Sequence, residues 1–90
     1  MPKICRANID KAGGIILGGS STVFVDGYPV ALEGNSIQRH EPYDQNQHQR
    51  ARVINGNPKV IVDGIPVCME GYSKGTCGHI ATSGSSVDIG

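Results

Sequence analysis

Six side chains of this 90-residue chain are soft or borderline metal ligands: Cys5, Cys68 and Cys77, and His40, His48 and His79. Four of them make a set with a chemistry of its own. Cys77 and His79 stand two residues apart, so on extended backbone both point to one face. His40 and Cys77 stand 37 residues apart, which is the period of an internal repeat described below. His48 lies in a polar segment, Glu41–Arg52, that has no periodicity and needs an anchor to be held in so short a chain. Three imidazoles and one thiolate form a tetrahedral nitrogen and sulfur set, which suits zinc better than calcium or magnesium, with iron a weaker alternative. Four protein ligands leave no open coordination position, so such a site is structural rather than catalytic. Plainer readings exist for each residue. His48 can be a solvated loop histidine, and His79, which aligns with Ile15, can be an ordinary strand residue. Cys5 is the reserve fourth ligand, although Ile4-Cys5 reads more simply as buried strand, and Cys68, which aligns with Ala31, as a small core residue.

The elements that must position these ligands follow from the repeat. Val23-Phe-Val-Asp-Gly-Tyr-Pro-Val-Ala-Leu-Glu-Gly34 lies on Val60-Ile-Val-Asp-Gly-Ile-Pro-Val-Cys-Met-Glu-Gly71 with eight of twelve positions identical. Chance would give about one, so the repeat is real. Each copy predicts a β-hairpin: β-branched and aromatic residues lead into Asp26-Gly27 or Asp63-Gly64, strong two-residue turn signals. Pro29 and Pro66 open the return strands, where a missing N–H is tolerated. A third, truncated copy closes the chain, with Gly78 to Val87 resembling Gly14 to Val23 and with Val87-Asp-Ile-Gly90 matching only the first strand. The expectation is one all-β domain over residues 1–90, built from short hairpins with approximate internal threefold symmetry. The strands around Val23, Val25, Val60, Val62, Val87 and Ile89 should form its broad end, with Val23 and Val25 on one face and Phe24 on the other.

Composition narrows the function. Lys plus Arg and Asp plus Glu both number 8, so the net charge is zero, which disfavours a nucleic-acid binder. Ile15-Ile16-Leu17, enclosed by glycines, is too short for a secretory leader or a membrane span, so synthesis in the cytoplasm without a signal peptide is expected. An odd number of cysteines fits a metal site or buried thiols better than a disulfide framework. With no Trp and one Phe, the chain has little apolar area to bury, and a metal or a partner is expected to supplement its core. Asp26 and Asp63 are turn residues rather than an acid pair, and Arg50, Arg52 and Lys59 are solvated. Two enzymatic alternatives stand beside the structural-metal reading. One is a small hydrolase using His40, His79 or Cys77 around an open metal position. The other is a cysteine–histidine nucleophile centred on Cys77.

The residues from Ser20 to Ala31, from Val60 to Cys68, at Cys77-Gly78 and from Gly84 to Gly90 resemble, in that order, the PAAR-repeat family of spike-tip proteins from type VI secretion systems and contractile phage tails. The resemblance implies a small β cone whose base caps a trimeric VgrG-like spike and whose apex holds zinc through three histidines and a cysteine. It implies one tip per spike, a membrane-piercing role without turnover, and delivery across the target envelope. His40 and Cys77 match ligand positions of the family, and His48 lies within one position of another. The family's first ligand histidine falls on Ala12 here, with His79 as the substitute. The name-giving Pro-Ala-Ala-Arg is Pro29-Val-Ala-Leu32 and Pro66-Val-Cys-Met69, without arginine, and in so short a chain no fused toxin domain is expected.

Overall fold

The computed structural model describes residues 2–41 and 48–89; part of the expected loop, 42–47, lies outside the described residues. The chain is nearly all β, as its repeat predicts. Strands β3 (Phe24–Val25) and β4 (Tyr28–Pro29) form the first hairpin, and β6 (Asn57–Val62) and β7 (Ile65–Val67) the second. Both turns are two residues long, because Val25 pairs with Tyr28 and Val62 with Ile65. Asp26 and Gly27 have φ of 51° and 82°, and Asp63 and Gly64 have 53° and 76°. Two consecutive positive φ values define the mirror-image turn that matches strand twist, and Asp-Gly is among the few pairs that tolerate it.

The third copy is not left truncated. The N-terminal segment completes it: Lys3 bridges Asp88, Ile4 N–H donates to Val87 O at 2.9 Å, and Ile89 N–H donates to Pro2 O at 2.7 Å. The two ends of the chain thus make the third sector together. Around the axis, the return segments of the three sectors close into a ring. Cys5 N–H donates to Cys68 O, Cys68 N–H to Ala31 O, and Ala31 N–H to Cys5 O, each at 2.9 Å. Their neighbours repeat the pattern, with Ile4 bridging Met69, Arg6 bridging Val30 and Leu32 bridging Val67. The approximate threefold symmetry is therefore a property of the main chain. Only small side chains occupy the three equivalent places, all of them fully buried.

Alternation on the return segments sends their side chains in two directions. Ile4, Val30, Leu32 and Val67 join Val25 and Ile89 in one apolar cluster, which Val60, Val62 and Met69 flank. Cys5, Ala31 and Cys68 join Ala12, Ile16, Ile37, Ala51, Val53 and Ala81 in a second, against which Cys77 packs. Around that second cluster a further ring closes: β1 (Lys11–Ala12) folds onto β2 (Gly14–Ile15), β5 (Val53–Ile54) pairs with β8 (Lys74–Gly75), Ile16 bridges Ile37, and Lys11 bridges Thr82.

The broad end departs from expectation in detail. Val25 and Ile89 face inward, and Val60 and Val62 are half-buried, whereas Val23, Phe24 (57% exposed), Tyr28, Ile61, Ile65 and Val87 are exposed. Strand alternation begins only at Phe24, because the Ser20 hydroxyl holds the Thr22 and Val23 N–H groups in a turn. Val23 and Val25 therefore do not share a face. Ile89 is drawn in by its bond to Pro2.

Polar latches join neighbouring sectors. The Asp63 carboxylate accepts from the Ser20 and Thr22 hydroxyls at 2.7 and 2.6 Å, and the Asp26 carboxylate accepts from the Ser86 N–H and hydroxyl at 2.8 and 2.7 Å. Thr22 holds the Asp63 carboxyl below its usual range, and Ser86 does the same for Asp26. Inside, Arg6 and Asp10 form a buried ion pair at 2.9 Å, and Asp10 also accepts from Ser83 Oγ and Gly84 N–H. Burial alone would raise the Asp10 pKa, but this donor set outweighs it and the carboxyl is held low.

Candidate metal centre

Three parts of the chain meet: the single-residue connection Gly13 between β1 and β2, the residues His40 and His48, and the connection Thr76–Gly78 after β8. His40, His48, Cys77 and His79 converge there, each offering one ligand atom, and these four atoms lie within 4.8 Å of one another. His40 and His48 are buried and Cys77 and His79 half-buried.

Each side chain is aimed by its local backbone. His40 Nδ1–H donates to the Gln38 carbonyl at 2.9 Å, which fixes the tautomer and leaves the Nε2 lone pair directed into the cluster. His40 N–H donates to His48 O at 3.2 Å, which brings His48 beside His40. Gly75 N–H donates to His79 O and Gly78 N–H to Gly75 O, a tight turn that places Cys77 and His79 together. The repeat partners His40 and Cys77 lie in one group, and Cys77 and His79 are brought together by this turn rather than by extended backbone.

The distances suit one small ion. His40 Nε2 lies 3.0 Å from His79 Nδ1 and 3.1 Å from His48 Nδ1, and Cys77 Sγ lies 3.4 Å from His79 Nδ1. A tetrahedron of donors about 2.0–2.3 Å from its centre has edges of roughly 3.3–3.7 Å, close to these spacings. The rings are mutually tilted, with centroids 4.9–5.0 Å apart, so their edges rather than their faces meet.

The first connection contributes space instead of a ligand. A Cβ on Gly13 would stand 2.2 Å from His79 Nδ1 and 2.7 Å from His40 Nε2, and one on Gly14 would stand 2.2 Å from Gln38 O. Gly13 also has φ of 86°, where a side chain is strained. A Cβ on Gly75 would stand 2.9 Å from Cys77 Sγ. Three glycines thus form the wall of the cluster. Ala12, where a ligand histidine was expected from the resemblance, is fully buried in the adjacent apolar cluster. His79 stands in the ligand group that Ala12 cannot join.

Cys5 is not among the four. It lies in the axial ring against Cys68, and with Cys68 and Cys77 it is a free thiol. The Gly13 wall, the Arg6–Asp10 pair and the Cys5–Ala31–Cys68 ring carry no sequence signal of their own; the repeat could have located the ring only if the N-terminal segment had been counted as part of the third copy.

A family model described as the PAAR motif matches residues 8–83. No curated protein matches the chain.

Proposed function

The chain belongs to the PAAR-motif family, whose members are structural spike-tip proteins of secretion systems and phage tails rather than enzymes, and on that premise we propose that it caps a trimeric VgrG-like or phage spike as a single copy. The observation that carries the proposal is the closed ring at Cys5, Ala31 and Cys68. It lets one chain present three similar sectors to three identical chains. The exposed apolar residues Val23, Phe24, Tyr28, Ile61, Ile65 and Val87 surround that end and supply the contact area. A β-helix end leaves strand edges and apolar side chains uncovered, and a threefold cap covers all three at once.

The four-donor cluster supports a structural zinc at the opposite end. A narrow point cannot bury enough apolar surface to order itself, and an ion shared by two separate connections supplies that order, since binding free energy becomes folding free energy. Zinc fits better than iron because three imidazoles and one thiolate match its preferred tetrahedral set. Four donors leave no coordination position for a water nucleophile, which removes the basis of the hydrolase reading. A zinc-held Cys77 thiolate is likewise a poor free nucleophile.

The test mixes the purified chain with a trimeric VgrG-like spike protein and weighs the complex by native mass spectrometry. One tip per three spike chains is expected, weakened at least tenfold by Phe24→Asp together with Ile61→Asp. A complex with three tips per trimer, or none at all, contradicts the reading.

A further inference from the structure

The axial ring holds two thiols where its symmetry asks only for three small side chains. Cys5 and Cys68 are both fully buried, in one cluster, and bonded to each other through the main chain at 2.9 Å. Cys5 and Cys68 are the next pair along from the antiparallel bridge of Ile4 with Met69, and residues opposed across such strands have Cα atoms about 4.5–5.5 Å apart, inside the range a disulfide spans. The third member of the ring is Ala31, so neither cysteine is required for the packing. Cys77, the remaining thiol, belongs to the ligand cluster and not to the ring.

We propose that Cys5 and Cys68 are a latent disulfide, closed by a disulfide-bearing oxidant such as oxidised glutathione or a protein dithiol oxidase. The step is two exchanges. One protein sulfur attacks the oxidant's S–S bond, which breaks and releases one thiol; the second protein sulfur attacks the mixed disulfide and releases the other. Two protein thiols are oxidised, one oxidant disulfide is reduced, and both thiol protons leave on the oxidant's two thiols. The bond would join the N-terminal segment to the second hairpin and lock the one sector made from both chain ends.

The structure also sets the rate. The neighbouring Cys68, and then burial, hold the Cys5 thiol protonated and out of reach while the ring is closed. The first exchange therefore waits for the N-terminal segment to lift, and oxidation is slow in the folded chain and fast during refolding.

The test incubates the full chain, folded or refolding from urea, with a glutathione redox buffer, followed by trypsin digestion without reduction. The expected product is the Ile4–Arg6 peptide linked to Val60–Lys74, an intact mass lower by about 2 Da, and a melting temperature raised by roughly 10 °C. Cys5→Ala, which copies the residue at Ala31, should fold, show no such link and melt at one temperature in either buffer. Failure of the linked pair to form in both the folded and the refolding sample overturns the proposal. So does linkage of either cysteine to Cys77 instead.

Discussion

The two ends of this molecule are ordered by different means. At the hairpin end, three sectors are tied by main-chain bonds around Cys5, Ala31 and Cys68, and apolar side chains fill the space beneath them. At the other end, His40, His48, Cys77 and His79 face one another beside a glycine wall. The first arrangement is closed by the chain alone. The second brings four lone pairs together and is stable only if something satisfies them. Stability should therefore be separable: changes at the ligand end should act through metal, and changes at the hairpin end should not.

The largest effect expected comes from removing the metal. A strong chelator, or His40→Ala, should empty the site and destabilise the chain by several kcal/mol, on the scale by which structural zinc drives folding. Calorimetry with metal analysis measures both, and an unchanged melting temperature after chelation would mean that packing alone orders the tip. Gly13→Ala should come next. It places a methyl group on the ligand atoms at a strained φ, costing about 1–3 kcal/mol for the backbone before any metal is lost. Zinc stoichiometry well below one per chain is the expected readout, and full occupancy would contradict the wall.

Leu32→Ala sharpens the contrast from the opposite side. It opens a cavity beneath the ring at a cost of about 2–5 kcal/mol, and zinc content should remain one per chain. Loss of metal in this variant would show that the two ends do not act separately.

Acid should divide the ends by pH. Ligand imidazoles must be neutral and the thiol deprotonated, so metal is lost first as pH falls. Asp10, Asp26 and Asp63 have depressed pKa values in the folded chain. Their contribution is present above the unfolded carboxylate value of about 3.9 and disappears as pH falls through their lower folded values. Two steps are expected in a pH melt, zinc release above and loss of the fold below; a single step with both together would contradict the division. Asp63→Asn should have the smallest effect. Asp63 is solvent-exposed, although its bond to Ser20 is part-buried, so a slight loss of thermal stability with unchanged zinc is expected, and a large loss would mark the latch as a main support of the ring.

The same contrast explains what could be read from the residues. Asp26-Gly27 and Asp63-Gly64 declare their turns locally, and the repeat declares the hairpins. The four-donor cluster was legible because histidine and cysteine have distinctive chemistry and because the repeat pairs His40 with Cys77. The ring was not legible, since it is made of main-chain bonds between residues 26 to 63 positions apart whose side chains carry no signal beyond small size. The inward turn of Val25 and Ile89 was hidden for a related reason. It depends on where Ser20 ends a turn and on the pairing of Pro2 with Ile89, two facts of tertiary structure. Gly13 looked like one glycine among thirteen, and only the His40 and His79 side chains beside it show why no other residue fits.

The central claim is that these four side chains share one ion. Zinc-edge X-ray absorption on the purified chain tests it most directly. The account predicts one zinc per chain with three nitrogens at about 2.0–2.1 Å and one sulfur at about 2.3 Å. A folded chain without zinc, or a shell without sulfur, would contradict it.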